Sequence, residues 1–94
     1  MNVRKHSREI QEKLLRALEL PDDVVFDLPK VTVIGDIQIY LENHRGIIAY
    51  SPTVVRIAVS IGEIQIDGEG LFIRTINRDE IYLEGRIYAV RYQR

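Results

Sequence analysis

Two hydrophobic periods divide the chain. Between Ser7 and Leu20 the apolar residues Ile10, Leu14, Leu15, Ala17 and Leu18 recur at helical spacing and form one stripe. Arg8, Glu9, Glu12, Lys13, Arg16 and Glu19 fall mostly on the opposite face. Glu9 to Lys13 and Glu12 to Arg16 are i,i+4 pairs in the favourable order. Ser7 supplies an N-cap, and Pro21 disfavours helical backbone at Leu20. The pattern predicts a helix over about 7–20. At ~14 residues it is marginal alone, so its stripe is expected to dock on something. The segment PDDVVFDLPK over 21–30 reads as an extended connector that tucks a few apolar side chains inward.

From residue 31 to residue 92 the period falls to two. Val31 and Val33, then Ile37, Ile39 and Leu41, alternate with polar neighbours, and Gly35 interrupts them as a bulge or bend glycine would. Asn43-His44-Arg45-Gly46 reads as a four-residue hairpin loop. Ile47–Tyr50, Val55–Ile61, Ile64–Asp67, Leu71–Ile76, Ile81–Leu83 and Ile87–Tyr92 follow, separated by Ser51-Pro52, Gly62, Gly68-Glu69-Gly70, Asn77–Glu80 and Gly85. About seven short strands with frequent turn signals, and no room for crossover helices, predict a mainly β domain. The expected fold is a small antiparallel β-sandwich of the immunoglobulin-like class with one N-terminal α-helix, in a single domain over 1–94. A β-solenoid is the alternative, because IGDIQI, IGEIQIDG and DEIYLEG share a rhythm, although not at a fixed period. The expected core is Ile37, Ile39, Leu41, Ile47, Val55, Ile57, Val59, Ile64, Ile66, Leu71, Ile73, Ile81, Leu83 and Ile87.

Composition narrows the function classes. There is no cysteine, so disulfides, thiol nucleophiles and cysteine zinc sites are excluded. Thirteen basic against fourteen acidic residues argue against phosphate neutralisation as a mode of binding, so no nucleic-acid partner is expected. No apolar run approaches the ~20 residues of a membrane span. No signal peptide is visible, and a cytosolic location is expected.

Candidate chemistry is sparse. His44 lacks a sequence partner that would make it a catalytic base. Asn43, His44, Arg45 and Gly46 are nonetheless the most distinctive block: Asn43 can shape a turn, and Arg45 offers a five-donor fork for a partner. Asp22, Asp23 and Asp27 lack the alternation of a calcium loop, and Glu63, Asp67 and Glu69 read as a strand's solvent face. Gly68-Glu69-Gly70 lacks the third glycine and helix of a dinucleotide loop. Tyr40, Tyr82 and Tyr88 fall on outward strand positions near arginines. They read either as a protein-contact surface or as a second buried face. No catalytic, metal or cofactor site is expected. The basic N-terminal helix admits a second reading, a peripheral membrane module on anionic lipid.

The runs LPDDVVFDLPKVTVIG (Leu20–Gly35), IYLENHRGIIAYSP (Ile39–Pro52), VRIAVSIGEIQIDGEGLFI (Val55–Ile73) and DEIYLEGRI (Asp79–Ile87) resemble the YabP/YqfC family of sporulation proteins. The DVV…DLP lead-in is closer to its YqfC branch. The resemblance spans roughly Ile10 to Tyr92, and Glu42–Gly46 is its most specific block. It implies a small protein made in the mother cell of an endospore-forming bacterium and associated with the spore cortex or coat. It implies no enzymatic activity and no cofactor. It implies a protein partner, a membrane-bound sporulation protein being the natural candidate. Self-association and contact with the forespore membrane remain open alternatives.

Overall fold

The structure is a computed structural model describing residues 9, 10, 12, 13 and 27–94. Among the described residues six strands follow in order: β1 (Lys30–Ile34), β2 (Gln38–Glu42), β3 (His44–Tyr50), β4 (Val54–Val59), β5 (Gly62–Ile76) and β6 (Glu80–Gln93). They form one open antiparallel sheet in the order β1-β2-β6-β5-β4-β3. The chain is mainly β, but it is neither a two-sheet sandwich of seven strands nor a solenoid. Residues 9, 10, 12 and 13 have helical backbone and exposed side chains. The rest of the predicted helix over 7–20 and the connector through residue 26 lie outside the described residues, so the helix and its docked stripe gain no support.

The strand count differs because glycines that read as turns are bulges. Gly68-Glu69-Gly70 and Gly85 lie inside continuous strands. Glu69 pairs with Arg86 and Phe72 with Glu84, so β5 spends Gly70 and Leu71 against Gly85 alone. Gly85 sits at φ 140°, and a Cβ there would lie 2.8 Å from the Gly70 carbonyl oxygen and 2.9 Å from the Leu71 Cα. Only glycine fits so close to another backbone. A second bulge leaves Tyr88 unpaired on β6, between the Asp67–Ala89 and Gly68–Ile87 pairs. Back to back, the two bulges bend both long strands at their middle. Of the two expectations for Gly35, bulge or bend, the structure shows no bulge: Gly35 opens a turn that separates β1 from β2, with Ile37 N–H donated to the Ile34 carbonyl at 3.3 Å.

The bend divides the sheet into two leaves that share β5 and β6. β4 pairs with β5 only over Gly62–Asp67, and β2 pairs with β6 only over Glu80–Glu84. At the bend, Gly68 and Leu71 donate to the Thr53 and Pro52 carbonyls at 3.0 and 2.8 Å. Gly85 and Ile87 donate to the Ile37 and Asp36 carbonyls at 3.1 and 2.7 Å. Alternate residues of both leaves meet in one cluster: Ile39, Leu41, Val55, Ile57, Val59, Ile64, Ile66, Leu71, Ile81, Leu83 and Ile87. A single sheet can pool these residues only by coiling around its own concave face.

Three expected core residues are displaced. Ile37 lies in the β1–β2 turn and is 57% exposed, and Ile47 on the outer strand β3 is 37% exposed. Ile73 is half-buried at the margin of the core. The convex face of the β3–β4 leaf is a polar ladder. Arg56 grips both oxygens of Glu63 at 2.7 and 2.8 Å, and Arg91 reaches Asp67 at 2.7 Å. Among the described residues no helix is long and apolar enough to cross a membrane.

Candidate functional site

The Asn43–Gly46 block is not a hairpin tip. β2 pairs with β6 and β3 pairs with β4, so β2 and β3 never face each other. The chain passes from one leaf to the other at this point. Asn43 makes the corner with φ 66°, a left-handed conformation that asparagine tolerates better than most residues.

Three separate segments, 27–28, Ser60 and 77–79, converge on the corner. Asn43 donates its backbone N–H to the Asp79 carbonyl and its side-chain amide to the Leu28 carbonyl, both at 2.8 Å. Arg45 meets the Asp27 carboxylate at 2.7 Å, and the Ser60 hydroxyl donates to the Asp27 carbonyl at 2.9 Å. His44 is held at both ring nitrogens. The Gly46 N–H donates to Nδ1 at 3.0 Å, and Nε2 lies 2.7 Å from the Asn77 carbonyl. A backbone N–H can only donate and a carbonyl can only accept. These two contacts fit the tautomer that carries its proton on Nε2. Asn77 is fixed in turn, its side-chain oxygen accepting from Asp79 N–H at 3.2 Å and Glu80 N–H at 2.9 Å.

These contacts enclose a cleft of about 320 Å³ lined by Asp27, Asn43, His44, Arg45, Arg78 and Asp79. Two arginines and two aspartates balance its charge. The Arg45–Asp27 pair is 58% and 59% exposed, so it orients side chains more than it stabilises the fold. Among the described residues, Arg78 has no ion-pair partner. The cleft thus offers fixed donors and acceptors on a rigid frame. His44 presents no ring nitrogen that could take a proton from a ligand without losing one of its backbone contacts. No group of three or more His, Asp or Glu among the described residues is placed to hold a metal ion.

Sequence reasoning singled out Asn43, His44, Arg45 and Gly46, and the structure keeps them together. It missed Asp27, Arg78 and Asp79, which arrive from 15 or more residues away. A turn and a lead-in segment carry no periodicity that would announce them.

The tyrosines separate. Tyr40, outward on β2, is only 3% exposed. Its ring lies 4.8 Å from that of Tyr82 at 48°, and its hydroxyl donates to Glu80 at 2.5 Å. Tyr82 floors a second, shallower cleft of about 470 Å³ with Gln38, Arg74, Thr75 and Glu84. Bonds from Arg74 at 2.9 Å and Gln38 at 3.4 Å hold the Glu84 carboxyl below the ordinary carboxylate range. Glu63 is lowered by Arg56, and Asp67 by Gln65 and then by Arg91. Tyr88 stands apart on its bulge, 59% exposed, with its hydroxyl pushed up by a hydrogen bond to Glu69. None of the three tyrosines lines the Asn43 cleft.

Residues 27–94 match the YabP family. The chain is 47% identical over 79 residues to a Bacillus subtilis (strain 168) protein described as "Uncharacterized protein YqfC", covering 84% of this chain and 85% of that one. No solved structure matches.

Proposed function

The chain belongs to the YabP family, and we propose that it is a non-enzymatic assembly factor of endospore formation, acting in the mother cell during cortex and coat formation by holding a protein partner. The Asn43 corner carries this reading. Its side chains are locked by contacts from three other segments, and Arg78 stays open at the rim of the cleft. Pre-ordered polar groups lower the entropic cost of binding, and arginine is enriched among residues that dominate protein interfaces. A frame whose histidine is occupied at both nitrogens suits recognition better than proton transfer.

The test uses the tagged chain as bait in extracts of sporulating cells, comparing the native sequence with Arg78→Ala and Arg45→Ala. Each variant is first checked for native far-ultraviolet circular dichroism. The expected result is a retained protein that both folded variants lose. Retention of the same protein by the variants would show that the cleft is not the contact. Capture of nothing by the native chain would overturn the adaptor reading, and anionic vesicles would then be the next bait.

A further inference from the structure

We propose that the chain self-associates through β1, two copies joining edge to edge about a two-fold axis at Thr32 so that their sheets continue as one. This proposal does not depend on the corner cleft. Among the described residues β1 is an outer strand, paired on its β2 side alone. All five of its residues pair with β2 without a break in register. Val33 is 48% exposed and Ile34 41% exposed, and Ile37 lies just beyond them. An even, apolar edge without proline or bulge is a template for another strand.

The other edges left open among the described residues are blunted. β3 loses register twice, between His44 and Ile47 and between Ile47 and Ala49. The free half of β5 shifts register between Ile73 and Thr75, and the Ile73 N–H is donated to the Tyr50 hydroxyl at 3.1 Å. The free half of β6 over 89–93 is regular but centred on Arg91, so self-pairing there would set two guanidinium groups opposite each other.

β1 is complementary to itself in the antiparallel sense. With the axis at Thr32, Val31 meets the second copy's Val33, Lys30 meets its Ile34, and Thr32 meets its own counterpart. Residues facing the core stay opposite residues facing the core, as a continuous sheet requires. Charge selects the same arrangement. Lys30 is the strand's one charged residue. The two copies of Lys30 stand four residues apart, about 13 Å along the strand, beyond the ~8 Å screening length. Past the second copy's Ile34 comes the turn bearing Asp36, exposed and without an ion pair among the described residues. A parallel arrangement would set Lys30 against Lys30.

The test is light scattering on the full chain during size exclusion at high micromolar concentration. The expected mass is twice 10.9 kDa. Thr32→Lys and Thr32→Glu should each give the single-chain mass, and an equimolar mixture should return to the doubled mass, which unfolded variants could not do. Because the chain has no cysteine, Thr32→Cys gives a clean cross-linking site. Oxidation or a short bis-maleimide should trap a covalent dimer through it, and not through Ser60→Cys. A native chain at the single-chain mass would overturn the proposal. So would a dimer that both Thr32 charge variants leave intact, or one that cross-links through Ile47→Cys on β3 instead.

Discussion

Replacing Ile57 by alanine tests the core assignment most directly. Ile57 lies mid-strand in β4, between Ile47 of β3 and Ile64 of β5, and is fully buried. The change removes three carbons. At about 0.8 kcal/mol per buried methylene, the lost transfer free energy is about 2.4 kcal/mol. The flanking positions belong to hydrogen-bonded strands and collapse poorly onto the space, which adds about 1–2 kcal/mol. The expected loss is therefore roughly 3.5–4.5 kcal/mol, a large part of the total stability of a domain this size. It should lower the melting temperature by on the order of 20 °C. Urea unfolding followed by circular dichroism measures it, with the midpoint falling and the slope unchanged. Ile37→Ala is the matched control, because Ile37 is 57% exposed and should cost less than about 1 kcal/mol. A loss under about 1 kcal/mol for Ile57, or equal losses at both positions, would refute the inside–outside assignment.

Two further outcomes follow from the geometry. Gly85→Ala should destabilise the fold by about 2–5 kcal/mol in the same urea assay, combining backbone strain with a clash that no rotamer relieves, since all three nearest neighbours are backbone atoms; a near-neutral result would remove the bulge pairing. Stability should fall on acidification, because Glu63, Asp67 and Glu84 are held below their ordinary values in the folded state. The unfolded chain then binds the extra protons, so the contribution is present above the ordinary carboxylate range and lost as pH falls through and below it. Urea midpoints against pH should flatten when all three become their amides, and an unchanged acid limb would contradict the assignment.

Alternation was the legible part of the sequence. It places Val55, Ile57 and Val59, and Ile64 and Ile66, inside, because a strand flanked on both sides must send every second residue to the core. It fails at Ile37 and Ile47 because period two says nothing of which strands lie at an edge. Tyr40 defies its outward parity because its ring packs, tilted, against Tyr82, which supplies a second packed surface. Glycine is ambiguous in the same way: Gly35 turns the chain whereas Gly70 and Gly85 bend strands that continue, and only the partner strand decides. The Glu42–Gly46 block was legible as a site but not as a corner. Its neighbours Asp27, Arg78 and Asp79 come from contacts between distant segments, which local pattern does not encode.

The bend shared by β5 and β6 also governs how the domain comes apart. Neither leaf has an interior of its own, since each lends half of one long hairpin to the other and both face a single cluster. The hairpin closes locally, across Asn77–Asp79, whereas β2 reaches β6 from about forty residues away. Loop-closure entropy makes the hairpin the cheapest long pairing to form first, with β1–β2 and β3–β4 added to opposite halves. Losing either flank uncovers the common cluster, so partial unfolding has no stable resting place. The domain should melt in one step, with tyrosine fluorescence and circular dichroism tracing the same curve.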